Sequence, residues 1–210
     1  MKSISLQSLW SALRGLSYQG ALAGLLPFPA LLIARSEMTA DLAALYLGLA
    51  SAWLAADAFR DRSIDRAAWL NRMCALGLIL GLNVGLFGLL GVVSGIESNI
   101  PFPLIAAFSA VPALGLIPWL TLKLQHSYQA IVVGGASVGG IKILGCIVAR
   151  IIYGPDALRD GFMAADWRTA PVMIGCFWTG TILLSCWGFL ESYRICSGPS
   201  DFGAGETIAG

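Results

Sequence analysis

Three stretches of this chain, Met73–Ile96, Pro101–Leu122 and Pro171–Leu190, run without a single charged residue. A helix rises about 1.5 Å per residue, so roughly 20 apolar residues cross the hydrocarbon of a bilayer. Three further runs approach that length: Leu16–Ala34, Leu42–Phe59 and Ala130–Val148. Pro27 and Pro29 interrupt the first, Asp57 closes the second, and Lys142 sits in the middle of the third. The first two runs form either a tight hairpin through Arg35–Asp41 or a re-entrant pair. The composition agrees: 12% of residues are charged and 57% hydrophobic, with a mean hydropathy of +0.77, whereas soluble domains are about a quarter charged. The expected fold is an all-α integral membrane protein, a polytopic bundle of about six transmembrane helices.

Orientation is read from Lys and Arg, which accumulate on the cytoplasmic side. Lys2, Arg14, Arg60, Arg62, Arg66, Arg72, Lys123 and Arg194 fall on one side, and Arg35, Arg150, Arg159 and Arg168 on the other. Eight against four puts the N-terminus and C-terminus in the cytoplasm. Ser5–Leu16 reads as an interfacial amphipathic helix before the first span. No secretory signal is expected, because no small-residue cleavage site follows a short apolar core. Residues 1–196 read as a single transmembrane domain. Residues 197–210, rich in Gly and Ser, read as a disordered C-terminal tail.

Small residues let membrane helices approach closely. Gly77, Gly81 and Gly85 recur every four residues, Gly91 and Gly95 continue the spacing, and Gly135 and Gly139 repeat it. These are expected to pack helices within the bundle. Five cysteines lie in or beside apolar runs without CxxC spacing, so buried thiols are expected rather than a disulfide or zinc framework. With a net charge of +1 there is no basic stripe to displace phosphate counterions, which excludes nucleic acid as a partner.

The densest polar cluster is Asp57-Ala-Phe-Arg-Asp-Arg-Ser-Ile-Asp65-Arg66. On a continuing helix Asp57, Asp61 and Asp65 share one face. A solvated, salt-bridged helix end explains the pattern without function. Two functional readings compete with it. Asp57, Asp61 and Asp65 suit Mg²⁺ and a diphosphate, because that hard cation takes oxygen ligands. Alternatively Asp61–Leu70 is a short lateral helix that docks a cytoplasmic partner through Arg60, Asp61, Asp65, Arg66 and Trp69. Lys142 is a functional candidate because a charge at mid-bilayer is costly. Asn83, Ser137, Thr179, Thr181 and Ser185 read as polar contacts between helices. His126 reads as a solvated loop histidine, and Asp156 and Asp160 fall on the external side. No GxxxxGK[ST] loop is present, so the chain carries no ATPase of that kind, and no cofactor is expected.

Phe59-Arg60-Asp61 with Asp65 four residues later resembles the FRDxxxD stretch after the second span of the heme exporter protein B family, membrane subunits of ABC-type exporters in cytochrome c biogenesis. Gly175, Gly180-Thr181, Leu184-Ser185 and Arg194-Ile195 are similar in spacing to that family's closing helix. The chain departs from the family after Asp65, with Arg66-Ala67-Ala68-Trp69. The resemblance implies a multi-pass permease of the bacterial plasma (inner) membrane. It also implies a separate ATP-binding subunit docked at the Asp61 connection, and a homodimer, since such permeases work in pairs. A second resemblance is to UbiA-type prenyltransferases, whose second helix ends in NDxxDxxxD; here Asp57-Ala58 stands where that family has Asn-Asp. That alternative implies Mg²⁺–diphosphate chemistry at Asp57, Asp61 and Asp65. A membrane scaffold without chemistry is the third reading.

Overall fold

The computed structural model describes residues 6–25, 37–61, 64–94, 110–124, 126–154 and 171–198. Among them the chain is helical almost throughout and has no strand. The helices are α1 (Leu6–Leu25), α2 (Glu37–Ala58), α3 (Arg66–Ser94), α4 (Leu116–Lys123), α5 (Ser127–Tyr153) and α6 (Pro171–Ser197). A helical stretch at 110–114 leads into α4 and breaks at Gly115. Within α3, α5 and α6 the stretches Arg66–Gly91, Ser127–Tyr153 and Ile174–Ser197 are long and apolar enough to cross a membrane. α2 contributes a shorter apolar stretch, Leu45–Ala58. Leu82, Leu89, Val132, Leu144, Ile151, Leu183 and Leu190 point outward from the bundle. Soluble monomers do not expose apolar side chains on this scale, and a bilayer accepts them. This is a membrane protein.

α1 packs along α3, and α4, α5 and α6 pack on one another, with α2 bridging the two groups. The core cuts across that division, since Ala113 and Ile117 of the 110–123 segment join the cluster of α1, α2 and α3. Leu16, Leu54, Phe59, Ile64, Trp69, Leu76 and Leu80 belong to one buried cluster, and Leu116, Leu120 and Ala130 form a second. α1 is one continuous helix, so Ser5–Leu16 is not a separate interfacial segment. Leu9, Ala12 and Leu13 pack against the same core as Leu16. Further along, the Asn83 amide donates to the Gly20 carbonyl at 3.2 Å, and a Cβ on Gly20 would collide with Ile79. α1 and α3 therefore run parallel and close. Such an interhelical hydrogen bond contributes about 0.6 kcal/mol in a membrane, and it assigns Asn83 to packing.

The close approaches are made by glycines other than the expected ones. Nothing lies within 4 Å of a Cβ placed at Gly81, Gly85, Gly135 or Gly139, and Gly77 would meet only Leu114, at 3.9 Å. Their shared face is real, but among the described residues no helix packs closely on it. The tight crossing lies between the 110–123 segment and α6. A Cβ on Gly115 would collide with the Ser185 backbone, and one on Gly188 would lie 2.9 Å from the Gly115 carbonyl oxygen. The cysteines also depart from expectation: all five are free, but Cys74, Cys176 and Cys186 lie on the bundle surface and only Cys146 is fully buried. α5 ends at Gly154, whose φ of 83° lies in the left-handed region. There its N–H donates to the Arg150 carbonyl at 3.0 Å, closing the last turn.

The hairpin through Arg35, the residues before Ala110 in the fourth run, Asp156 and Asp160, and the tail beyond Gly198 lie outside the described residues.

Candidate functional site

α2 stops at Ala58 although neither Gly nor Pro follows. Phe59 is fully buried, and turning its ring into the core takes the backbone off the helix axis. Hydrogen bonds from Phe59 N–H to the Ala55 carbonyl (3.3 Å) and from Arg60 N–H to the Asp57 carbonyl (3.2 Å) close the turn. α3 then starts on a cap: the Asp65 carboxylate accepts from the Ala68 N–H at 2.8 Å. An Asp in that place satisfies an otherwise orphaned donor and favours the positive helix end, a contribution of about 1 kcal/mol. Asp57 thus belongs to one helix, Asp61 to the turn and Asp65 to the cap of the next. They do not line one face, and no group of three or more His, Cys, Asp or Glu side chains is placed to hold a metal ion among the described residues. The arrangement expected for Mg²⁺ at Asp57, Asp61 and Asp65 is not formed.

The lateral helix expected over Asp61–Leu70 is not separate either. Its second half is the first turn of α3, and Ile64 and Trp69 are buried. Trp69 is 1% exposed. Its indole N–H donates to Ser192 Oγ at 3.2 Å, and its ring meets Phe189 and Tyr193 edge-on at 5.0 and 5.2 Å. Trp69 therefore anchors the elbow to α6 and presents nothing to a partner. Arg60, Asp61, Asp65 and Arg66 remain exposed. Arg66 stacks over Tyr193, 5.2 Å from the ring centroid, so cation–π attraction braces it without hiding its charge.

Arg72, one and a half turns into α3, ties the elbow from below. It donates to the Ala58 carbonyl at 2.8 Å and approaches the Asp61 carboxylate at 3.7 Å. The ion pair is largely solvated and contributes little by itself. The bond to Ala58 satisfies one of the carbonyls that the end of α2 leaves open. These groups surround an open cleft of about 580 Å³, walled on its far side by Ala12, Gly15 and Leu16 of α1.

A second cleft, of about 460 Å³, opens on the other side of Asp57 and Arg60. His126, from the short turn between α4 and α5, and Tyr128, from the first turn of α5, enter it. The isolated histidine of the sequence is thus part of a polar cleft. It sits at the start of α5, where its N–H donates to Gln129 Oε1 at 3.3 Å. No spacing pattern links His126 to Asp57; only the packing of α2 on α4 and α5 brings them together.

The starts of α1, α3 and α5 and the ends of α2, α4 and α6 gather at this end of the bundle. Arg14, Arg60, Arg66, Arg72, Lys123 and Arg194 all lie there, with Arg194 paired to Glu191 at 3.1 Å. Lys142 is half-buried near the middle of α5, away from this cluster. Among the other intramembrane polar groups, Ser137 bonds back to the Val133 carbonyl of its own helix, and Thr179 faces outward. Thr181 and Ser185 are buried on the face of α6 that meets α4, and their hydroxyls have no hydrogen-bond partner among the described residues. No known protein family, curated protein or solved structure matches this chain.

Proposed function

We propose that the chain is a multi-pass protein of the bacterial inner membrane, with about six spans, whose basic end faces the cytoplasm. In this reading it is the permease subunit of an ABC-type exporter, as the resemblance to the heme exporter protein B family implies. The observation that carries the reading is the α2–α3 elbow. Arg60, Asp61, Asp65 and Arg66 stand exposed on a turn whose apolar residues, Phe59, Ile64 and Trp69, are sunk in the core. A partner that pushes on such a knuckle moves α2 and α3 as bodies, which is what coupling ATP hydrolysis to transport requires. Positive-inside orientation puts the elbow where a soluble ATPase reaches it. Lys142, on α5, faces the route of the transported molecule.

The test is affinity purification of the tagged protein from its native membrane in mild detergent. A stoichiometric partner bearing a Walker A sequence is expected. Asp61→Lys combined with Arg66→Glu reverses two exposed elbow charges, giving up the Arg72 pair and the stack on Tyr193. It is expected to lower recovery of that partner about tenfold, the effect of roughly 1.4 kcal/mol, at unchanged membrane insertion. A wild-type protein that is purified alone contradicts the permease reading and favours a scaffold.

A further inference from the structure

The second cleft grades from charged to apolar along its depth. At its rim stand Asp57, on the last turn of α2, and Arg60, in the turn that follows, with His126 and Tyr128 facing them from the start of α5. Trp53 lies one helical turn deeper, about 6 Å along the axis, and Ile131 is at similar depth on α5. Trp53 and Tyr128 both keep more than half of their surface exposed, at the end of apolar helices, where aromatic rings mark the headgroup level of a bilayer.

The charges choose among ligands. A plain anion drawn to Arg60 meets the Asp57 carboxylate, and a plain cation drawn to Asp57 meets the guanidinium. A molecule carrying both signs satisfies both. We propose that this cleft binds the headgroup of a zwitterionic phospholipid of the phosphoethanolamine class, independently of any ATPase. The phosphate lies against Arg60, within reach of the Tyr128 hydroxyl. The primary ammonium lies against Asp57 and the face of Trp53, which attracts a cation through its ring quadrupole. The acyl chains descend past Ile131. A primary ammonium donates hydrogen bonds to a carboxylate, which a quaternary one does not, and this selects ethanolamine over choline.

The test is native mass spectrometry of the delipidated full chain, titrated with phosphatidylethanolamine or phosphatidylglycerol of identical acyl chains. Wild type is expected to hold the ethanolamine lipid about tenfold better, the effect of one satisfied charge. Asp57→Asn, nearly isosteric, is expected to abolish the preference. Arg60→Gln is expected to weaken both lipids, and Arg60→Lys to restore binding. Soluble phosphoethanolamine is expected to compete, and inorganic phosphate at the same concentration is not. Equal retention of the two lipids by wild type overturns the proposal. So does a preference unmoved by Asp57→Asn and Arg60→Gln, or displacement by inorganic phosphate alone. Circular dichroism of each variant separates lost binding from lost folding.

Discussion

Replacing Trp69 with Ala is expected to destabilise the bundle by about 3–5 kcal/mol, the range for removing a large aromatic side chain from a packed core. Trp69 is 1% exposed, and its loss opens a space between α3 and α6 beside the Phe189 and Tyr193 rings that now pack on it. Trp69→Phe retains most of the apolar surface and loses the hydrogen bond to Ser192, at a cost of about 1 kcal/mol. Ser192 is not left unsatisfied, because its hydroxyl also donates to the Phe189 carbonyl at 2.8 Å. Denaturant or thermal unfolding of the detergent-purified variants measures the difference. A Trp69→Ala protein of wild-type stability that had lost a binding partner would instead make Trp69 a docking residue.

The second large effect is expected at Gly115. A Cβ there meets the Ser185 backbone, not the end of a side chain, so no rotamer change relieves it. Gly188 faces the same crossing, where an added Cβ would lie 3.0 Å from Leu116 Cα. Overpacking of a core costs about 1–3 kcal/mol, and Gly115→Val should reach the top of that range because α4 and α6 must separate as backbones. Gly180 provides an intermediate case: an added Cβ would lie 2.7 Å from the Ile141 side chain, which has freedom to turn. Gly81→Ala and Gly135→Ala are expected to be neutral or stabilising by up to about 1 kcal/mol, since open space surrounds them and Ala is the better helix former. Melting temperatures of the four variants in one detergent give the ranking. Equal losses at Gly81 and Gly115 would contradict the packing described here.

α3 and α6 were legible from the charge-free runs Met73–Ile96 and Pro171–Leu190, and α5 from an apolar run interrupted only by Lys142, because a bilayer demands length and apolarity and little else. Their junctions were not. Asp57, Asp61 and Asp65 have helical spacing, and that spacing fits a continuous helix as well as it fits a helix end, a turn and a cap. What separates the two is the burial of Phe59, a tertiary fact. The same holds for the glycines. A four-residue repeat defines a face, but only the neighbour decides whether the face is used, and the Gly115–Gly188 contact joins distant parts of the chain. Trp69 reads as the apolar side of a lateral helix until Ser192, Phe189 and Tyr193 are placed around it. His126 is isolated in sequence and gains its neighbours from the turn before α5.

The permease reading depends on which side of the membrane the elbow occupies. Single cysteines at Asp61, His126 and Arg194, in a protein whose five native cysteines are replaced by Ser or Ala, report that directly through a membrane-impermeant maleimide. The basic end facing the cytoplasm predicts that all three stay unlabelled in intact cells and react once the membrane is permeabilised. Labelling of these positions from outside would invert the protein, remove the elbow from any cytoplasmic ATPase, and contradict the account.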